Sequence, residues 1–112
     1  MCVFCKIINK EIPANIVYED DYVLAFNDVN PVSSVHVLVV PKKHIKNLND
    51  VDELDMEYII KLHYAFKKIA EKLDVKERGY RVISNCGKGA GQTVFHLHYH
   101  LISGSRLTEK IM

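Results

Sequence analysis

The sequence predicts an α+β domain with a five-stranded, mainly antiparallel sheet, one long helix and a short N-terminal helix. Two observations carry this prediction. Five short runs rich in β-branched and aromatic residues are separated by tight connections, which is typical of a sheet of short strands. One longer stretch repeats apolar residues at spacings of three and four, which indicates an amphipathic helix. We expect residues 1–112 to form a single domain, because 112 residues suffice for one core.

The first four predicted strands are β-branched or aromatic runs bounded by turn-forming residues. They comprise residues 16–19, 22–26, 36–40 and 80–84. Asp20 and Asp21 predict the turn between the first two strands, and Pro41 ends the third. A helical turn over residues 4–8 precedes them and must end before Pro13.

The long helix is predicted to begin near Asp50, because Asp50 followed by Glu53 resembles a capping box. Beyond it, an apolar stripe faces the sheet or a partner subunit. The stripe consists of Leu54, Tyr58, Leu62, Ala65, Phe66, Ile69 and Leu73. We expect the helix to break near Gly79.

The fifth predicted strand, residues 95–102, carries the most informative pattern. Residues two apart in a strand share a face, so three imidazoles point to one side and the apolar residues to the other. The imidazoles belong to His96, His98 and His100, and the apolar set is Phe95, Leu97, Tyr99 and Leu101. The apolar set explains a buried strand but not the three histidines, which therefore indicate function. His63, in the middle of the helix, has no such pattern.

A metal site is one interpretation of the histidine trio, because two imidazoles at i and i+2 can bind one zinc ion. His96 and His100, however, would lie about 13 Å apart along a strand. The trio is therefore expected to divide its roles. Histidine acts as a nucleophile or proton carrier near neutral pH, since its ordinary pKa is about 6.5.

The loop over residues 85–93 precedes the trio and contains Gly87, Gly89 and Gly91. Alone, it indicates a flexible turn. It is not a Walker A loop, because a strand and not a helix follows. Directly before three histidines, the loop favours a phosphate cradle made by backbone N–H groups.

Composition excludes some partners. The chain has 15 basic and 14 acidic residues and a net charge of +1, so no broad basic surface for nucleic acid is expected. No apolar run reaches membrane-spanning length, and no secretory signal is visible, so we expect a cytoplasmic protein without membrane attachment. Thiols stay reduced there, which favours a metal or redox pair for Cys2 and Cys5. Cys86 is expected to be a small buried apolar side chain.

Residues 91–102 resemble the signature of the histidine-triad (HIT) family, in which three histidines alternate with apolar residues. The similarity extends from residue 2 to about residue 107 and is greatest for the Hint branch of the family. The blocks that carry it are residues 4–8, 11–14, 18–21, 25–29 and 36–44.

The resemblance implies a HIT-like fold and a homodimer that joins two five-stranded sheets across the long helix and a strand. It also implies hydrolysis of phosphoramidates of purine nucleoside monophosphates. His98 would attack the α-phosphorus to give a nucleotidyl-histidine, which water then hydrolyses. His100 would contact the phosphate, and His36 would complete four histidines around the site. Thr93 stands where the Hint branch commonly has serine and would supply the catalytic hydroxyl.

The resemblance also assigns binding residues. The nucleotide contacts it implies are Phe4, Ile7, Phe26, Asp28, Val29, Asn85, Gly91, Gln92, Thr93, His98 and His100. Among these, Asp28 would hold the ribose hydroxyls, although it also suits a plain turn. A structural zinc ion is implied with the ligands Cys2, Cys5, His44 and His96. The alternative is a disordered N-terminus with reduced thiols.

Three other functions remain open. A dinucleoside polyphosphate hydrolase would cleave diadenosine substrates. A nucleotide-binding interaction module would need no nucleophile, and the presence of His98 argues against it. A mononuclear zinc hydrolase would require an open coordination position near His98.

Overall fold

The computed structural model describes residues 2–104 and 107–111. Its helices and strands are α1 (Val3–Ile8), β1 (Ile16–Glu19), β2 (Val23–Asn27), β3 (Val35–Pro41), α2 (Met56–Lys72), β4 (Arg81–Ile83) and β5 (Tyr99–Ser103). Single 3-10 turns occur at Leu48–Asp50, Glu53–Asp55 and Lys88–Ala90. Within the described part of the chain, no helix has both the length and the apolar character needed to cross a bilayer.

The five strands form one sheet in the order β1-β2-β3-β5-β4, and every neighbouring pair is antiparallel. The predicted α+β class, with one long helix and a short N-terminal helix, is therefore confirmed. β3 and β5 lie side by side, with Leu38 opposite His100 and His36 opposite Ile102. This register brings two of the predicted histidines from different strands to one region of the sheet.

Both faces of the sheet are covered, because β3 is buried on both sides. Val37 and Val39 pack in the cluster that contains the α2 side chains. Leu38 and Val40 pack on the other face with Phe4 of α1. A strand that is buried on both faces has a continuous apolar run, which explains the β-branched sequence of residues 36–40.

The apolar stripe of α2 is largely confirmed, since Leu62, Ala65, Phe66 and Ile69 are buried against the sheet. The assignment of Leu54 to that stripe is wrong. Leu54 lies in a 3-10 turn before α2 and is 85% exposed. The apolar spacing extends by chance to a residue that precedes the start of the helix.

The predicted capping box at Asp50 and Glu53 is wrong, because the box consists of Asp52 and Asp55. Asp52 Oδ1 accepts a hydrogen bond from the Leu54 N–H at 2.8 Å, and Asp55 Oδ2 accepts one from the Asp52 N–H at 3.1 Å. Asp50 instead ends the preceding 3-10 turn. Asp55 is buried and also binds the Lys43 ammonium, which ties the start of the helix to the segment after β3.

The end of the long helix also differs from the prediction. α2 ends at Lys72, and the chain then turns at Asp74, which has a φ of 58°. Aspartate tolerates this left-handed conformation better than most residues, so no glycine is needed. Gly79 comes later, immediately before the chain enters β4.

The fifth strand is shorter than predicted, because it begins at Tyr99 and not at Phe95. The segment before it bends, and the Leu97 N–H donates to the Ile45 carbonyl at 2.6 Å. The predicted alternation therefore fails at its start: Phe95 is exposed, with the Lys46 ammonium over its ring. His96 and His98 precede the strand, and only His100 lies within it.

Candidate functional site

His98 is buried immediately before β5 and has a defined tautomer. Its Nδ1 lies 2.8 Å from the backbone carbonyl of His96. Because a carbonyl can only accept, Nδ1 carries the proton and Nε2 keeps its lone pair in the neutral ring. The Ser84 hydroxyl donates to the His98 carbonyl at 2.9 Å and fixes the backbone from the side of β4. His98 is therefore held with Nε2 available as a nucleophile.

His36 and His100 form a second ordered pair. The Val32 N–H donates to His36 Nδ1 at 3.1 Å, so a neutral His36 carries its proton on Nε2. His36 Nε2 lies 2.9 Å from His100 Nδ1 and 3.3 Å from Asp28 Oδ2. When His36 Nε2–H donates to His100 Nδ1, a neutral His100 carries its own proton on Nε2. The ring of His100 lies 5.2 Å from that of His98.

The electrostatics of His100 favour the neutral ring. Burial is the main cause that lowers its pKa below the usual value, and the nearby His98 and His36 lower it further. Asp28 acts in the opposite direction. A neutral His100 is consistent with the chain of hydrogen bonds described above, since that chain needs an acceptor at its Nδ1.

A cavity of about 520 Å³ lies between α1 and the start of the loop after β2. The predicted base-contacting residues all line it: Phe4, Ile7, Phe26 and Val29. Asp28 stands on the same wall and also reaches His36. Phe4 connects the cavity to His98, because its ring lies 5.1 Å from that of His98 in an edge-to-face arrangement. An apolar cavity with a carboxylate on its wall suits a ligand with a flat apolar part and hydroxyl groups.

Four potential metal ligands meet at the other side of α1. Cys2, Cys5, His44 and His96 place their ligand atoms within 4.8 Å of one another. The Sγ–Nδ1 distances are 3.4 Å for Cys2–His96, 3.3 Å for Cys5–His44 and 3.6 Å for Cys5–His96. The Nδ1 atoms of His44 and His96 lie 3.2 Å apart. Tetrahedral zinc with ordinary Zn–S and Zn–N bonds sets neighbouring ligands roughly 3.3–3.8 Å apart. The donor set and its spacing therefore fit a tetrahedral metal ion.

The surroundings of His96 also suit metal binding. His96 Nε2 donates to the Pro41 carbonyl at 2.9 Å, which leaves the Nδ1 lone pair facing the two thiols. Burial lowers the pKa of His96 to about 4, so the ring stays neutral.

The second cluster consists of Asp28, His36 and His100, and it differs from the first in the nitrogen that His36 presents. There the Val32 N–H occupies His36 Nδ1, so the nitrogen that faces the cluster is protonated.

The glycine loop is folded on itself. Gln92 is buried, accepts a hydrogen bond from the Gly87 N–H and donates to the carbonyls of Lys46 and Val94. The N–H groups of Ala90 and Gly91 donate to carbonyls within the loop. A phosphate contact from Asn85, Gly91 or Thr93 stays a prediction and would need groups other than these amides. The positive φ of 89° at Gly87 and 86° at Gly91 explains why glycine occupies both positions.

Thr93 lies in a separate cleft of about 400 Å³, with Cys2, Val3, Val94 and Phe95. Val3 lines this cleft and the larger cavity, so the two meet at the start of α1. The structure thus brings together Asp28, His36, His98 and His100, and separately the four potential metal ligands. The predicted nucleotide contact of Gln92 stays a prediction, and the structure gives its side chain hydrogen bonds that hold the glycine loop together.

Some groups that order the site were missed in the sequence. The carbonyls of His96 and Pro41 and the N–H of Val32 are backbone groups, which every residue has, so no sequence signal identifies them. Leu38 also lines the cavity, and a signal did exist, because it lies two residues from His36 on the same strand.

Comparisons with known proteins agree with this geometry. The sequence model of the HIT domain family matches residues 9–107 of this chain. An uncharacterized HIT-like protein of Methanocaldococcus jannaschii is 46% identical over 102 residues, covering 91% of this chain and 78% of the relative.

Two solved structures show the same fold. A HIT family hydrolase from Clostridium thermocellum is 52% identical, with a TM-score of 0.95 over 99% of this chain and 96% of that one. A histidine triad nucleotide-binding protein from Candida albicans is 34% identical, with a TM-score of 0.83 over 90% of this chain and 73% of that one. The matched range contains the loop, the histidine trio and the central strands described above. The chain therefore belongs to the HIT family.

Proposed function

We propose that this protein is a nucleotide hydrolase of the phosphoramidase type, which cleaves the P–N bond of purine nucleoside phosphoramidates. The observation that carries the proposal is the hydrogen bond from His98 Nδ1 to the His96 carbonyl, which leaves the lone pair on Nε2 of a ring that packs against Phe4, a wall of the 520 Å³ cavity. The names of the solved HIT family hydrolases support hydrolysis. A module that only binds nucleotides needs hydrogen-bond donors but no such nucleophile.

In the first step, His98 Nε2 attacks the α-phosphorus and forms a P–N bond, while the bond from phosphorus to the substrate amine breaks. The amine leaves with a proton that the Thr93 hydroxyl relays from solvent. His100 Nε2–H donates to a phosphate oxygen and stabilises the charge that develops there. Asp28 accepts hydrogen bonds from the ribose hydroxyls, and the apolar cavity walls hold the base.

In the second step, water attacks the same phosphorus and breaks the bond to His98. The imidazole pair accepts the proton of the water and passes it to solvent, and His98 Nε2 regains its lone pair. The nucleoside monophosphate is then released. Two successive displacements retain the configuration at phosphorus, whereas a direct attack by water inverts it.

We further propose that Cys2, Cys5, His44 and His96 hold zinc. With four protein ligands the ion would be closed to substrate, so it would supply structural stabilisation and no activated water. His96 would thus be a metal ligand and not a catalytic member of the trio. The Pro41 carbonyl, which orients its ring, supports this assignment.

The remaining expectations are also proposals. A homodimer that joins across α2 and a strand is supported by the exposed apolar side chains of Ile60 and Tyr64 on α2. Membership of the Hint branch, a single domain over residues 1–112 and a cytoplasmic location stay predictions from the sequence.

The decisive experiment is a turnover assay with adenosine phosphoramidate, compared with diadenosine polyphosphates and with AMP binding. Faster release of AMP and ammonia from the phosphoramidate supports the proposal. Preferential cleavage of diadenosine substrates would replace it with a dinucleoside polyphosphate hydrolase. AMP binding without turnover of either substrate would indicate an interaction module. A phosphoramidate chiral at phosphorus would then separate the two-step route from direct hydrolysis.

A further inference from the structure

Helix α1 carries two sets of side chains that belong to different sites. Cys2 caps the helix and Cys5 lies within it, and their sulfurs face His96 and His44. Phe4 and Ile7 lie three residues apart on the same helix and line the nucleotide cavity. A helix of six residues is too short to be stable by itself, so its position depends on what holds these two sets.

Phe4 stands between the two sites. Its ring lies 6.0 Å from that of His96, 5.1 Å from that of His98 and 5.6 Å from that of Phe26. It therefore touches a potential metal ligand, the proposed nucleophile and a cavity wall at once. Because Cys2 and Cys5 flank it closely in sequence, a displacement of either sulfur moves the backbone that positions this ring.

Without an ion, the metal-binding end of α1 has weak attachments. The Cys2 and Cys5 sulfurs lie 3.3–3.6 Å from the Nδ1 atoms of His44 and His96, and the bonds available to these thiols are of the weak S–H···N type. The helix is also held by the packing of Phe4 and Ile7 on Leu24, Phe26 and Leu38, and Cys2 and Ile8 pack against the same cluster. An ion at the cluster would fix the sulfurs, and a base in the cavity would fix the apolar side chains of the same helix.

We propose that Cys2 and Cys5 are positioning residues of the nucleotide site, so that metal binding and nucleotide binding strengthen each other through α1 and Phe4. The inference rests on the proposed nucleotide and zinc sites and adds a coupling between them. Coupling of two sites is reciprocal, so the metal must raise nucleotide affinity by the factor by which the nucleotide raises metal affinity. We expect about tenfold, within the range usual for coupled sites.

The test measures binding and not turnover. AMP affinity is determined by calorimetry for the zinc-loaded protein, for protein treated with a chelator, and for the Cys2→Ser and Cys5→Ser variants. Lys68→Ser is the control, because Lys68 is exposed on α2, which covers the face of the sheet opposite α1 and lies outside the metal cluster. Zinc affinity is measured by chelator competition with and without AMP. The two ratios should agree, and the control should behave like the wild type.

A second measurement avoids the metal-free state, which could unfold. Cobalt(II) replaces zinc, and the charge-transfer band of its thiolate ligands reports the geometry at Cys2 and Cys5. Saturating AMP should shift this band in the wild type and leave it unchanged in Phe4→Leu. This variant keeps an apolar side chain but removes the ring that packs against His96 and His98.

The possible outcomes are distinguishable. An AMP affinity that is equal with and without zinc in folded protein, or a cobalt band that AMP does not shift, overturns the coupling and leaves the proposed function intact. Failure of the zinc-loaded protein to bind AMP overturns both. A chain that binds AMP but no metal overturns the coupling and the zinc proposal together.

Discussion

His36 Nε2 lies 2.9 Å from His100 Nδ1, and the opposite nitrogen of His36 is occupied by the Val32 N–H at 3.1 Å. One backbone group thus determines the orientation of protons across two imidazoles. The last N–H of this chain, on His100 Nε2, belongs to the ring that lies beside His98. The arrangement works only while His100 is neutral, which connects the site to pH.

The first prediction concerns stability at low pH. The pKa of His100 is lowered in the folded protein, mainly by burial, so the unfolded chain binds its proton more readily. The stability contributed by the neutral ring is therefore complete above the unfolded value of about 6.5 and is lost as the pH falls below it. Urea unfolding of the wild type and of His100→Gln at pH 8 and pH 5 should show a steeper loss in the wild type. Parallel losses would contradict the assignment.

The second prediction concerns the nucleophile. His98→Ala should lower turnover by several orders of magnitude, since positioning of the substrate alone cannot replace the proposed nucleophile. AMP binding should persist, because Asp28 and the cavity walls are unchanged. His63→Ala is the control, as His63 lies on α2, which covers the opposite face of the sheet. Acid-quenched early turnovers and peptide mass spectrometry should locate the adduct on His98. An adduct elsewhere, or full activity of His98→Ala, would refute the role.

The third prediction separates two possible starts of the long helix. Asp55→Ala should lower the melting temperature, because Asp55 is buried, accepts from the Asp52 N–H and binds Lys43. The Lys43 hydrogen bond is the main cause that lowers the pKa of Asp55, so this stabilisation should disappear as the pH falls through that lowered pKa. Asp50→Ala should change the melting temperature little, as Asp50 is exposed. Equal changes in the melting temperatures of the two variants at pH 7 would contradict a stabilising role of the Asp52–Asp55 capping box.

The fourth prediction is the homodimer. Ile59, Ile60, His63, Tyr64 and Lys67 line a cavity of about 380 Å³ on the exposed side of α2. Apolar surface of this kind is usually covered by a partner. Sedimentation at micromolar concentration should give twice the chain mass of 12.9 kDa, and Ile60→Glu should shift the protein toward the monomer. Lys68→Glu, an exposed α2 substitution outside that cavity, should not. A stable wild-type monomer would contradict the prediction.

Much of the fold could be predicted because burial on both faces leaves a clear pattern in strands such as β3. The apolar stripe of α2 could also be predicted from the sequence. The residue at which the helix begins could not, because Asp50 and Asp52 both suit the N-cap position. Among site residues, the histidines and cysteines were identifiable by type and resemblance. The separation of His96 from His100 along a strand already predicted that they divide their roles, but the sequence did not indicate the bend before Tyr99. Long-range contacts cause that bend, such as the bond from the Leu97 N–H to the Ile45 carbonyl, and no local pattern encodes them.

Gly104 has a consequence for how mutational data on this protein should be interpreted. A side chain at this position would overlap the Ser33 hydroxyl and crowd Ser34. Both serines donate to the Ser103 carbonyl, at 2.5 Å and 3.2 Å, and so fasten the loop that presents the Val32 N–H to His36. A saturation scan scored on turnover should therefore rank Gly104 among the least tolerant positions. Loss of turnover in such a scan would therefore identify the loop that orders the His36–His100 hydrogen bonds as clearly as the residues that contact the substrate.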